Sequence, residues 1–175
     1  MPTTMFLNPE EILDQLELSS DMVAAEFGAG SGGFAIPLAK KLPDGLVYAI
    51  DIQKNPLVVL KNRTVSENIV NVKITLSDLE KPRGSKLQDD SADLVFIVNV
   101  LFQAEEKENI LSEAKRILKD SGRIIVVDWL PESPQAASGA KISAEALKDM
   151  AEKIGLKLEK DFNAGSYHYG LIFKK

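Results

Sequence analysis

Glu26-Phe27-Gly28-Ala29-Gly30-Ser31-Gly32-Gly33 decides how this chain is read, because it ends one apolar run and opens another. Met22 to Phe27 reads as a buried strand and Phe34 to Lys40 as a helix, so the glycines between them form a strand-to-helix turn. A main chain without side chains bends tightly there and lets a ligand come close. Pro37 suits the helix only in its first turn, where a missing amide costs little.

Outward from this turn the same alternation recurs. Leu46 to Ile52 reads as a second strand, Asn55 to Glu67 as a helix and Val72 to Leu76 as a third strand. The polar connection Lys81-Pro82-Arg83-Gly84-Ser85 leads to Ala92–Val98, a near-continuous apolar run expected of a central parallel strand covered on both faces. Ile110, Ala114, Ile117 and Leu118 share one face of a helix that Gly122 follows closely, before a fifth strand from Arg123 to Trp129. Upstream, Asn8-Pro9-Glu10-Glu11 caps a short helix with Ile12, Leu13 and Leu16 on one face. Downstream, Ser143 caps a helix carrying Leu147, Met150, Ala151 and Ile154, which Gly155 ends. Leu156 to Phe162 and Tyr167 to Lys174 flank Asn163-Ala164-Gly165-Ser166, which is hairpin chemistry. The expected fold class is α/β: a doubly wound parallel sheet with helices on both faces, finished by an antiparallel C-terminal hairpin. The small, polar stretch from Pro131 to Ala140 reads as a surface loop and a candidate substrate lid.

With 175 residues, 45% of them apolar, the expectation is a single domain over residues 1–175 and no separate substrate domain. A net charge of -5 and no cluster of five or more Lys/Arg argue against a nucleic-acid partner. No basic-plus-apolar leader is apparent, and no apolar run approaches the roughly 18 residues of a membrane span, so a cytoplasmic monomer or homodimer without membrane contact is expected. There is no cysteine and one histidine, His168, which excludes disulfides, thiolate nucleophiles and multi-histidine centres; no metal is expected.

The glycine turn admits two ligands. Taken as Gly28, Gly30 and Gly33, with Asp51 at the end of the second strand, it matches the dinucleotide pattern. Taken as Glu26, Gly28, Gly30 and Gly32, it resembles the first motif of class I methyltransferases, in which an acid two residues before the first glycine faces the amino-acid end of S-adenosylmethionine. That donor carries a sulfonium and an ammonium where a dinucleotide carries pyrophosphate, so a negative Glu26 attracts the first and repels the second.

The resemblance runs from Phe6-Leu7-Asn8-Pro9 to Tyr167-His168-Tyr169-Gly170-Leu171-Ile172-Phe173, and the chain looks like the small bacterial and archaeal methyltransferases grouped with quinone-biosynthesis (UbiE-like) relatives. Val47-Tyr48-Ala49-Ile50-Asp51 resembles the second-strand motif, Ser77-Asp78-Leu79 the acidic turn after strand three, and Asn99-Val100-Leu101-Phe102-Gln103 the end of strand four. Lys119-Asp120-Ser121-Gly122-Arg123 is similar to the turn before strand five but departs from its usual Pro-Gly-Gly. The resemblance implies a Rossmann-like, seven-stranded, mostly parallel sheet and in-line methyl transfer from S-adenosylmethionine to an unidentified small-molecule acceptor. It implies that Glu26 meets the donor's ammonium, that Gly28, Ala29, Gly30 and Gly32 offer main chain, and that Asp51 takes the ribose hydroxyls. Ile52 is expected on the adenine face, Ser77, Asp78 and Leu79 around the adenine edge, and Asn99 beside the donor.

Each residue also has a plainer reading: strand-end carboxylates for Glu26 and Asp51, a turn cap for Asp78, a structural amide for Asn99. Asn99 is not followed by Pro-Pro-aromatic, which removes the pattern of enzymes that methylate adenine or glutamine amino groups. Trp129, Tyr167, His168 and Tyr169 fall at the ligand-binding edge, where His168 is the one side chain suited to general-base work near neutral pH and Tyr167 is a second candidate. The alternatives are an NAD(P)-binding Rossmann oxidoreductase subunit and an S-adenosylmethionine-binding protein without catalysis.

Overall fold

In a computed structural model, which describes residues 7–134 and 141–175, strands β1 (Val23–Phe27), β2 (Leu46–Asp51), β3 (Val72–Leu76), β4 (Ala92–Val98), β5 (Leu118–Trp129), β6 (Lys157–Asn163) and β7 (His168–Lys174) form one sheet. Their order is β3-β2-β1-β4-β5-β7-β6. The first five run parallel to one another, while β7 lies antiparallel to both β5 and β6. The chain winds outward from β1 to β3, returns to set β4 against the free side of β1, and then winds the other way. That reversal opens a crevice over the carboxyl ends of β1 and β4, the usual ligand position in open α/β sheets.

Successive strand residues point to opposite faces, so the sheet builds two cores. Ala25, Phe27, Val95, Ile97 and Val126 meet α4 (Lys107–Ile117) and α5 (Ala144–Lys153) through Ile110, Leu111, Ala114, Leu147 and Ala151. Ala24, Phe96, Ile125 and Val127 meet α1 (Pro9–Leu13), α2 (Ala35–Lys41) and α3 (Lys54–Ser66) through Ile12, Leu13, Ala35, Leu38, Leu57 and Leu60. The helix starts follow the expected chemistry: Asn8 Oδ1 accepts from Glu10 N at 3.1 Å and Ser143 Oγ accepts from Ala146 N at 3.2 Å. Among the described residues, no helix is long and apolar enough to cross a membrane.

Two expectations are corrected. Gly122 does not close α4: Leu118 is already extended (φ -72°, ψ 131°) and begins β5, so Leu118 belongs to the strand instead of the helix face. Gly122 lies inside β5, where a Cβ would sit 2.6 Å from Leu118 Cδ1 and 2.8 Å from the Asp93 carbonyl oxygen, so close packing and not helix capping requires it. Tyr167 precedes β7, which starts at His168. The lid reading of Pro131–Ala140 falls largely outside the described residues, since 135–140 are not among them.

The crossover from β3 to β4 contains no helix, and a buried carboxylate organises it instead. Glu113 on α4 accepts from Ser85 N (2.9 Å) and Ser85 Oγ (2.5 Å), while Arg116 donates to both of its oxygens at 2.7 and 2.8 Å. Burial pushes the Glu113 carboxyl up, but the bonds from Arg116 and Ser85 outweigh it and hold the group below the ordinary glutamate value. The same segment carries Asp78, Leu79 and Glu80 to the sheet edge. Glu113→Ala should therefore strand Arg116 and Ser85 and lower the unfolding free energy by about 2–4 kcal/mol in urea denaturation.

Candidate active site

Where β1 ends, the glycine turn is strapped to the end of β2. Gly28 N and Ala29 N both donate to the Ile50 carbonyl, at 2.8 and 3.0 Å. Gly30 N donates to Asp51 Oδ2 at 2.8 Å and Gln53 N to Asp51 Oδ1 at 2.8 Å, which fixes the Asp51 carboxylate at the mouth of the turn. Each of its oxygens keeps capacity for a further donor.

Glu26 lies below, 3% exposed, with Oε2 buried and unpartnered. Burial pushes its carboxyl up to about 8; amides of Ala35 and Phe34, at the start of α2, pull the other way, and the Asp51 charge adds to the rise. A buried carboxyl with no countercharge and one idle oxygen is a costly feature that a cationic group would relieve.

Over the carboxyl ends of the strands is a cavity of about 210 Å³. It gathers seven of the expected residues: Gly28, Asp51, Ile52, Ser77, Asp78, Leu79 and Asn99. Glu26, Ala29, Gly30 and Gly32 lie outside its wall, in and under the turn. Ile52 is 63% exposed, unusual for an isoleucine, and it faces the cavity. Asn99, at φ +54°, has a buried, unpartnered Oδ1 while its carbonyl accepts from Gln103 Nε2 at 3.1 Å. Asp78 does serve as a turn cap, since its Oδ1 accepts from Glu80 N at 3.0 Å, and it lines the cavity as well.

Gln53, Glu80, Val100, Gln103, Ala104 and Ile110 also line the cavity and were not expected there. Gln53 and Glu80 directly follow expected residues, and Val100 and Gln103 sit inside the strand-four stretch, so adjacency was the available signal. Ile110 reads as an ordinary core position of α4, and nothing in its spacing marks it.

Trp129, Tyr167 and His168 do not line this cavity. Trp129 and His168 pair across β5 and β7 at the same edge, their rings 4.0 Å apart and tilted by 35°. His168 is buried with Nε2 unpartnered, and burial pulls its imidazole below the ordinary histidine value. Tyr167 is half-buried and its carbonyl accepts from Leu130 N at 2.8 Å.

The spacing of the required glycines separates the two readings of the turn. Gly32 has φ +90°, and a Cβ on it would lie 2.4 Å from Leu60 Cδ1; a Cβ on Gly33 would meet nothing within 4 Å. The dinucleotide pattern needs Gly33, and this backbone needs Gly32. A family model described as a methyltransferase domain matches residues 18–164.

The chain belongs to this methyltransferase-domain family. It is 30% identical over 105 residues to the ubiquinone/menaquinone biosynthesis C-methyltransferase UbiE of Cupriavidus taiwanensis, a match covering 59% of the chain and 42% of that protein. It is 22% identical over 161 residues to the demethylmenaquinone methyltransferase of Thermotoga maritima, covering 92% of the chain and 61% of that protein. The chain thus spans less than two thirds of the length of these relatives. Among solved structures, a SAM dependent methyltransferase from Aquifex aeolicus superposes with a TM-score of 0.85 at 24% identity, over 95% of the chain and 89% of its own. The sheet order and terminal hairpin are those of the class I methyltransferase fold, and the family's methyl donor is S-adenosylmethionine.

Two outcomes follow for the free protein. Gly32→Ala should cost about 1–3 kcal/mol in urea denaturation, and Gly33→Ala should stay within about 0.5 kcal/mol of the parent. Between the ordinary glutamate value and about 8 the folded state holds a Glu26 proton that the unfolded chain has lost, so this group's contribution to stability falls as pH rises through that window. Glu26→Gln should flatten that part of the profile, read as urea midpoints across the same pH range.

Proposed function

We propose that this protein transfers the methyl group of S-adenosylmethionine to a small-molecule acceptor, with Glu26 as the anchor of the donor's charged end. The observation that carries the reading is the buried, unpartnered Glu26 oxygen beneath an open glycine turn. A Cβ on Gly30 would project into empty space, so the turn is bare where a ligand would touch it. An ammonium supplies the countercharge against which Glu26 ionises; a pyrophosphate would oppose that ionisation and add charge of the wrong sign beside Asp51.

In this reading Gly28, Ala29, Gly30 and Gly32 give main-chain access, and Asp51 accepts from the ribose hydroxyls while its own amide partners keep it still. Exposed Ile52 packs on the adenine face. Ser77, Asp78 and Leu79 border the adenine edge, and Asn99 Oδ1 takes a donor proton from the ligand. The donor brings its own sulfonium leaving group, so the chain's work is alignment and exclusion of water, which in well-oriented systems reaches effective molarities of about 10⁵ M or more. His168 and Tyr167 stand on the acceptor side of the same edge, and the acceptor's chemistry decides whether a base is needed.

Isothermal titration with S-adenosylmethionine, S-adenosylhomocysteine and NADH tests the reading. The two adenosyl ligands should bind and NADH should not. Glu26→Lys should abolish binding with the fold intact by circular dichroism, and Asp51→Asn should weaken it about tenfold. Tight NADH binding, or unchanged affinity in Glu26→Lys, would remove the proposal.

A further inference from the structure

Among the described residues, three side-chain atoms are buried without a partner: Glu26 Oε2, Asn99 Oδ1 and His168 Nε2. They belong to β1, the end of β4 and the start of β7, all at one edge of the sheet. The first two stand at the donor site. We propose that the third, with Trp129 stacked on it, is the acceptor subsite, and that it takes a planar, uncharged ring bearing a hydroxyl group, a phenol or enol, whose proton passes to His168 Nε2. This rests on the donor reading above.

The register gives the geometry. Glu26, Phe96, Ile125 and Ile172 lie in one row across β1, β4, β5 and β7, and the last three pack into the same core. Trp129 is four residues beyond Ile125 and His168 four before Ile172 in the antiparallel strand, so both project on that face and nearer the ligand-binding edge. Three strand spacings, about 14 Å, separate β1 from β7 and leave the ends of β4 and β5 between them for a donor's reactive end and a small acceptor in line.

The chemistry of the lining selects the acceptor. Asp128 alternates to the opposite face, where its carboxylate accepts from Phe102 N and Trp129 N at 3.1 and 2.8 Å. Tyr169, also on that face, donates to the Ile142 carbonyl at 3.0 Å. The hairpin side is closed by buried Ala164 and by Phe162, whose ring packs on Gly170. Lys160 Nζ, 5.9 Å from the Phe162 ring centroid, already donates to Gln15 Oε1 at 3.2 Å, and burial pulls the His168 imidazole below the ordinary histidine value. A neutral imidazole carries its proton on one ring nitrogen, and in the tautomer that leaves Nε2 bare, that nitrogen accepts a hydrogen bond. In the transfer, the acceptor oxygen bonds to the methyl carbon, the carbon–sulfur bond breaks with its electron pair kept by sulfur, and the hydroxyl proton moves to Nε2.

His168 and Trp129 are the chain's single histidine and single tryptophan, so each gives one unambiguous nuclear magnetic resonance signal. The full chain saturated with S-adenosylhomocysteine is titrated with 4-ethylphenol, ethylbenzene and 4-ethylbenzoate. The phenol should move both the Trp129 indole N–H and the His168 ring signals, and the benzoate should move neither. His168→Phe, which keeps a ring against Trp129, should weaken the phenol about fivefold while leaving ethylbenzene and S-adenosylhomocysteine affinities unchanged. Signals unmoved by the phenol up to its solubility limit, or a benzoate that binds as well, overturn the proposal even if the variant does not fold. Failure of S-adenosylhomocysteine to bind overturns the donor reading instead, and this one with it.

Discussion

A carboxyl group buried at the end of the central strand, with no cation beside it among the described residues, is the constraint around which this molecule is arranged. Glu26 sits where the sheet reverses its winding, under a turn that side chains would obstruct, and beside a second acid that straps the turn in position. Burial outweighs the amides of Ala35 and Phe34 and pushes the Glu26 carboxyl up to about 8. A fold gains nothing in stability from such a group; burying an unpaired acid is a cost, and an apolar residue of similar size would pack there more favourably. The arrangement makes physical sense as a receptor for a positively charged ligand, which is why the reading of the site starts from this side chain and not from the cavity beside it.

The remainder of the site depends on elements that never touch it. Asp51 acts as both ligand candidate and strap, so the turn and the end of β2 move as one unit. The segment carrying Asp78 and Leu79 has no helix to hold it, and the Glu113–Arg116–Ser85 knot replaces one. Leu79 and Leu87 pack the connection against the core, and the charged cluster supplies the polar ties between them, so its stability is sensitive to the removal of any single member.

Most of the sheet was legible in the sequence because apolar runs of strand length alternate with helical periods, and β3 and β4 fall where that alternation puts them. Gly122 was misread because glycine after a helix commonly marks a cap, whereas here it answers crowding from Leu118 and Asp93, a tertiary contact that local sequence does not encode. The glycine turn was ambiguous on spacing alone: two patterns share Gly28 and Gly30, and the left-handed backbone at Gly32 (φ +90°), crowded further by Leu60 and Ile36, makes Gly32 the required one. Cavity residues contiguous with motifs were nearly visible; Ile110, facing the cavity from a helix read as pure core, was not. The pairing of His168 with Trp129 was the least legible, since their approach is set by the antiparallel register of β5 and β7.

The most direct test of the account counts protons. Calorimetric titration of the protein with S-adenosylhomocysteine at pH 7, in two buffers of different ionisation enthalpy, measures what is released or taken up on binding. If Glu26 is protonated in the free site and ionised against the ligand's ammonium, close to one proton should be released, and the release should fade at pH values well above 8. Binding with no proton exchange, or with uptake, would contradict the claim that this buried acid recognises the charged end of the methyl donor.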